Sequence, residues 1–125
     1  GFAPRKVARF GPGDVERLMG DAGIIRARAK IEATIQGARV YCDMQDRGER
    51  FDAFCWSFTG GRVLHGDGRT RVARSELSGT ISAELKRRGF KFVGPTIVYA
   101  WMQAAGIVDD HERGCFRYRR ATPNR

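Results

Sequence analysis

Apolar residues recur at three- and four-residue spacing through much of this chain, a periodicity that predicts helices rather than strands. Val15, Leu18 and Met19 share one face of a short helix that Asp14 is placed to cap, after an irregular approach through Pro12 and Gly13. Gly20, Asp21, Ala22 and Gly23 interrupt it. After Ile24 and Ile25 a longer helix is predicted from about Ala27 to Met44, with Ile31, Ile35, Ala38 and Cys42 on its buried face. Gly48 then precedes a compact apolar segment in which Phe51, Phe54, Cys55 and Phe58 again fit helical spacing, and core packing is its expected role.

From Thr59 to Glu76, glycines and scattered arginines break every periodic pattern, so a surface connection is expected, with His65 as an exposed loop histidine. A helix resumes near Thr80, carrying Ile81, Leu85 and Arg88, and Gly89 suits its C′ position. Lys86, Arg87 and Arg88 complement the carbonyls of its last turn. Pro95 fits the first turn of a further helix through Ala105, apolar enough to lie at the centre of the core and ended by Gly106. The β-branched residues at 96–98 would also permit a strand, but length and the Pro and Gly boundaries favour helix. The fold class expected is therefore all-α.

Charge changes the picture. The 125 residues carry 23 Lys plus Arg against 14 Asp plus Glu, a formal net charge of +9 that favours a polyanionic partner, with nucleic acid first. The same arginines also suit an ordinary solvated face. A chain of this length buries one small core. No apolar run is long enough for a membrane span or a secretory core, so a soluble cytoplasmic protein is expected. Cys42, Cys55 and Cys115 are too widely spaced for a disulfide framework, and the first two read as buried thiols. The start at Gly1, without an initiator Met, leads us to expect a processed or truncated chain.

Two places suggest chemistry. Free backbone amides near Ile24, Ile25 and Arg26, at the positive end of the long helix and beside Arg28 and Lys30, can hold a phosphate; equally, the basic group suits a solvated first turn, and the two isoleucines could close a hydrophobic corner. His111 and Cys115 would meet if residues 110–116 form a helical turn, and imidazole with thiolate is a zinc-ligand pair, although zinc takes four ligands and Cys42, Cys55 and His65 have no spacing that implies convergence. Asp109 and Asp110 could orient His111 or cap its turn. Glu16, Glu32, Asp21 and Asp52 are each explained by a surface, cap or turn. Trp56, Tyr99 and Trp101 could line a base pocket or pack in the core. No Walker loop, dinucleotide fingerprint, CxxC pair, HExxH or Ser/His/Asp arrangement is present.

Four blocks in one order carry a resemblance: Asp14 to Ile31 (DVERLMGDAGIIRARAKI), Phe54 to Phe58 (FCWSF), Leu85 to Thr96 (LKRRGFKFVGPT) and Tyr99 to His111 (YAWMQAAGIVDDH), followed by Cys115. Together they resemble the DNA-3-methyladenine glycosylase I, or Tag, family of the helix-hairpin-helix glycosylase superfamily. The resemblance covers nearly the whole chain and implies a helix-hairpin-helix glycosylase fold, with the helix-hairpin-helix region at about 14–44. It assigns 18–31 to the hairpin region that meets double-stranded DNA, with Gly23, Ile24, Ile25, Arg26 and Lys30 as the contacts; Gly23, Ile24 and Ile25 replace the common Gly-hydrophobic-Gly form. It carries zinc-ligand roles onto His111 and Cys115, and it leaves Tyr99 and Trp101 as base-pocket candidates.

The resemblance further implies that a complete family member has another Cys and His near its beginning to finish the zinc site. Its upstream region supplies the carboxylate, aromatic residues and wedge loop of the base pocket. The chain is therefore expected to be the C-terminal two-thirds of the enzyme, a single incomplete α-helical domain over 1–125 with no assignable catalytic residue. The implied reaction is hydrolysis of the N-glycosidic bond of 3-methyladenine in DNA, the first step of base-excision repair, by a monomer with one structural zinc ion. Little or no turnover is expected of these residues alone. A noncatalytic helix-hairpin-helix DNA-binding module, or a structural fragment that needs a partner, stays open beside it.

Overall fold

A computed structural model describes residues 2–118. Six helices are present among them: α1 (Pro4–Val7), α2 (Pro12–Met19), α3 (Arg28–Asp46), α4 (Phe51–Ser57), α5 (Glu76–Arg87) and α6 (Pro95–Ala104). Two short strands, β1 (Leu64–His65) and β2 (Val108–Asp109), pair in parallel with Leu64 opposite Val108 and His65 opposite Asp109. The all-α expectation holds, with this small ladder as an addition.

Helix α3 organises the molecule because its two halves face different clusters. Its first half buries Ile31, Ile35 and Ala38 against Val7 of α1 and Val15 of α2. Its second half sends Val40 and Met44 into the larger cluster formed with Phe54 and Cys55 of α4, Ile81 and Leu85 of α5, and Val98, Tyr99 and Met102 of α6. Ile107 and Val108 close that cluster, which anchors β2 directly to the core. A 19-residue helix seated in both clusters holds its exposed amino end at a fixed angle to the rest of the chain.

Several boundaries differ from the periodicity for identifiable reasons. Asp14 is not the N-cap of α2: Pro12 begins the helix, and Asp14 sits in its first turn, where its Oδ2 accepts from the Gly11 N–H at 3.0 Å. Helix α5 starts at Glu76, not near Thr80, because Ser75 and Ser78 form a reciprocal cap, each hydroxyl accepting from the other's N–H at 2.8 and 3.1 Å. Gly89 takes the positive φ of 102° expected of a C′ residue. Residues 96–98 are helical, which settles the strand alternative. Residues 110–116 form no helical turn: the chain runs on from β2 into irregular turns, with the Cys115 N–H donating to the Glu112 carbonyl at 2.8 Å. Helix α1, too short for a periodic signal, was not foreseen.

Candidate functional site

The link between α2 and α3 is a compact turn built by Asp21. Its Oδ1 accepts from the Gly23 N–H at 2.8 Å, and its carbonyl accepts from the Ile24 N–H at 3.4 Å. The Ala27 N–H donates back to the Ile25 carbonyl at 3.0 Å, so the chain doubles on itself immediately before α3. This turn lifts Ile24 and Ile25 away from the core, leaving Ile25 86% exposed. They do not close the corner between the helices; Val15, Leu18 and Met19 do that against Ile31 and Ile35.

Ala27, the N-cap residue of α3, has no side chain able to accept a hydrogen bond. Among the described residues, no acceptor faces the backbone N–H groups of Ile25, Arg26, Arg28 or Ala29. Four donors are thus left unmatched among the described residues at the positive end of a long helix, which suits an anion. Arg26 and Lys30 are exposed beside it without an acidic partner among the described residues. Arg28 differs, because its guanidinium reaches back to Glu16 Oε1 at 2.7 Å and that contact holds the Glu16 carboxyl below its ordinary range.

His111 Nδ1 lies 3.7 Å from Cys115 Sγ. The pair meets although no helix carries it; the turn closed by Cys115 and Glu112 folds the thiol back over the ring. Among the described residues, no group of three or more His, Cys, Asp or Glu side chains is placed to hold a metal ion. Cys42 and Cys55 are buried free thiols, and burial pushes the Cys55 thiol up to about 11.

Tyr99 is buried in the larger cluster with its hydroxyl donating to Asp110 Oδ2 at 2.5 Å. Burial first, and then the Asp110 carboxylate, push its phenol up to about 12. Trp101 packs against the same cluster from a half-buried position, its ring 6.3 Å from that of Phe51. Two residues apart on α6, they project to different sides of the helix, so the fold does not bring them together as two walls of one pocket.

With this geometry in view, the sequence relationships take on meaning. The methyladenine glycosylase family model matches residues 1–118. The chain belongs to that family. The DNA-3-methyladenine glycosylase 1 of Escherichia coli (strain K12) is 48% identical over 120 residues, which cover 94% of this chain and 64% of that protein. The DNA-3-methyladenine glycosylase of Haemophilus influenzae is 40% identical over 117 residues, covering 91% and 63%. A crystal structure of 3-methyladenine DNA glycosylase I superposes with a TM-score of 0.89 at 42% identity, over 93% of this chain and 65% of that one. A solution structure of 3-methyladenine DNA glycosylase I gives 0.87 at 46% identity, over 96% and 66%. The fold is the all-α helix-hairpin-helix glycosylase fold. The chain spans less than two thirds of the length of the curated relatives it matches.

Within this member of the family, sequence reasoning missed one pairing. His65, expected to stand alone in a loop, is set opposite Asp109 by the β1–β2 ladder, with Nδ1 3.7 Å from Asp109 Oδ2. The signal available was only a short apolar Val63-Leu64 step among glycines, too brief to declare a strand. The structure also separates the two neighbouring aspartates: Asp110 turns inward to Tyr99, and Asp109 turns outward to the histidines.

Proposed function

We propose that these residues are the DNA-gripping and metal-anchoring part of a DNA-3-methyladenine glycosylase acting in base-excision repair in the cytoplasm. The observation that carries this reading is the uncapped amino end of α3, preceded by the exposed Gly23, Ile24, Ile25 and Arg26, in a chain matched by the family model over 1–118. Backbone N–H groups and the helix end take a phosphate of double-stranded DNA without reading bases, Arg26 and Lys30 add charge, and Ile25 offers apolar contact beside the backbone. The net charge of +9 draws the duplex in.

The reaction is hydrolysis of the N-glycosidic bond between 3-methyladenine and deoxyribose, which releases the base and leaves an abasic site. The damaged nucleotide must first leave the stack. Alkylation makes this base cationic, so aromatic faces favour it and its departure needs little help from a strong acid. Tyr99 and Trp101 are the base-pocket candidates within these residues, on different sides of α6 and so not as two walls of one pocket. Catalytic groups are not assigned to any of the 125 residues, so little turnover is expected from them alone.

Zinc is the metal proposed for His111 and Cys115. Tetrahedral zinc with nitrogen at about 2.0 Å and sulfur at about 2.3 Å separates those two ligands by about 3.5 Å. The 3.7 Å between Nδ1 and Sγ fits that separation with little movement. Two further ligands are needed, and the ion would tie chain segments together rather than activate water. The intact protein acts as a monomer.

Equilibrium binding of the chain to a fluorescent duplex across a salt series tests the DNA half of this reading. Arg26→Ala with Lys30→Ala should weaken binding and reduce the slope of log affinity against log salt by about two charges' worth, roughly 1.8. An unchanged slope would remove the hairpin from the interface.

A further inference from the structure

We propose that Asp109 is a positioning residue that makes His111 a zinc ligand through Nδ1, and that His65 steadies Asp109 from the neighbouring strand. The inference rests on the zinc reading above and specifies the atom and its support.

Asp109 is held on both sides. Before it, Ile107 and Val108 are buried in the main cluster, and the Leu64 N–H donates to the Ile107 carbonyl at 2.9 Å. After it, the Asp110 carboxylate is fixed by the Tyr99 hydroxyl, and the backbone of Gly66 presses against it: a Cβ at Gly66 would fall 2.1 Å from Asp110 Oδ1. The Gly66 N–H in turn donates to the Asp109 carbonyl at 2.9 Å. A half-buried carboxylate on so constrained a backbone is pre-set in direction.

That direction divides the histidine's two nitrogens. Asp109 Oδ1 lies 4.0 Å from His111 Nε2, while His111 Nδ1 faces Cys115 Sγ. A small rotation of the ring lets Nε2–H donate to the carboxylate, which leaves the Nδ1 lone pair toward the thiol and the metal. Asp109 Oδ2, the other oxygen, lies 3.7 Å from His65 Nδ1, so the carboxylate stands between the two histidines. His65 is thereby given a task that its loop position concealed.

Long-range proton–nitrogen NMR of the histidine rings tests this directly, in a ¹⁵N-labelled polypeptide that carries these residues within a chain as long as the family's enzymes and so supplies the further ligands the zinc reading requires, first metal-free at a pH where free imidazole is neutral and then with zinc chloride added. In the metal-free chain His111 should be the Nε2–H tautomer, and zinc should move its Nδ1 resonance. Asp109→Ala should mix the tautomers and weaken zinc binding by about tenfold or more. His65→Ala, a change at an exposed side chain, should shift the tautomer balance less but in the same direction. A metal-free Nδ1–H tautomer, zinc arriving at Nε2, or tautomers indifferent to Asp109→Ala would overturn the proposal while leaving the zinc reading intact. If neither ring nitrogen of His111 responds to zinc, the zinc reading falls and this assignment falls with it.

Discussion

Glu16 on α2 holds Arg28 on α3 at 2.7 Å across the hairpin, placing a carboxylate beside a helix end otherwise suited to anions. Arg28 is the first residue of α3, where a cation opposes the helix dipole, and Glu16 offsets that penalty. A phosphate arriving at the same end must compete with it.

Glu16→Gln should therefore tighten non-specific duplex binding and steepen its salt dependence by about one charge, near 0.9 in the logarithmic slope, as Arg28 becomes available. Fluorescence anisotropy across a salt series checks this. Because both side chains are largely exposed, the thermal midpoint should hardly move. Weaker binding by the variant would mean that Glu16 orders the hairpin for DNA instead of guarding it.

Tyr99 and Cys55 make stability fall in alkali. Each has its folded-state value raised above the ordinary one, Tyr99 from 10.0 to about 12 and Cys55 from 9.0 to about 11. Their contributions are complete below the ordinary values and are lost as pH rises through the raised ones. Urea midpoints should decline from about pH 9 towards pH 12. Tyr99→Phe should cost about 1 kcal/mol at neutral pH, because Asp110 loses its donor, and should flatten the upper part of that decline. A variant with an unaltered alkaline profile would show that the phenol is not the titrating group.

Arg88 links α4, α5 and the segment between α3 and α4 through one guanidinium. It lies 4.0 Å from the Phe54 ring centroid, 2.7 Å from Glu49 Oε1 and 3.0 Å from Glu84 Oε1, and only 17% of its side chain is exposed. Arg88→Ala should destabilise the fold by about 2 kcal/mol, and Arg88→Lys should not restore it, since an ammonium cannot stack and fork at once. Hydrogen bonds from Arg87 and Arg88 hold Glu84 down at about 2, a depressed value whose stabilisation is present above the ordinary range near 4.5 and lost as pH falls towards 2. Denaturant titrations at neutral and acid pH on the wild type and both variants measure these effects; full rescue by lysine would contradict the geometry.

The long helices were legible because each repeats its apolar face over several turns. Ile31, Ile35, Ala38 and Cys42 are all buried as their spacing requires, and Gly89 and Gly106 both take the left-handed φ expected just past a helix end. Helix starts were harder. Asp14 and Ser75 are equally good capping residues on paper, yet Pro12 moved the start of α2 three residues earlier, with Gly11 in place of Asp14 as its N-cap, and a Ser78 partner moved the start of α5 back to Glu76. The hairpin proposed to meet DNA could be placed from residues 23–30, but the exposure of Ile25 depended on the Asp21 turn. The His65–Asp109 contact was illegible because it joins residues 44 apart through a two-residue ladder that has no periodicity to detect. His111 and Cys115 met, as their residue types implied, by a route other than the helical turn expected of them.

Release of free base from methylated duplex DNA tests the central claim most directly, with the products resolved by chromatography. A polypeptide carrying these residues within a chain as long as the family's enzymes should release 3-methyladenine in preference to other methylated bases. Its Arg26→Ala with Lys30→Ala variant should be slower at limiting DNA, and the 125 residues alone should bind duplex but release little. Duplex binding without base release by the longer polypeptide would contradict the glycosylase account and leave a DNA-binding module in its place.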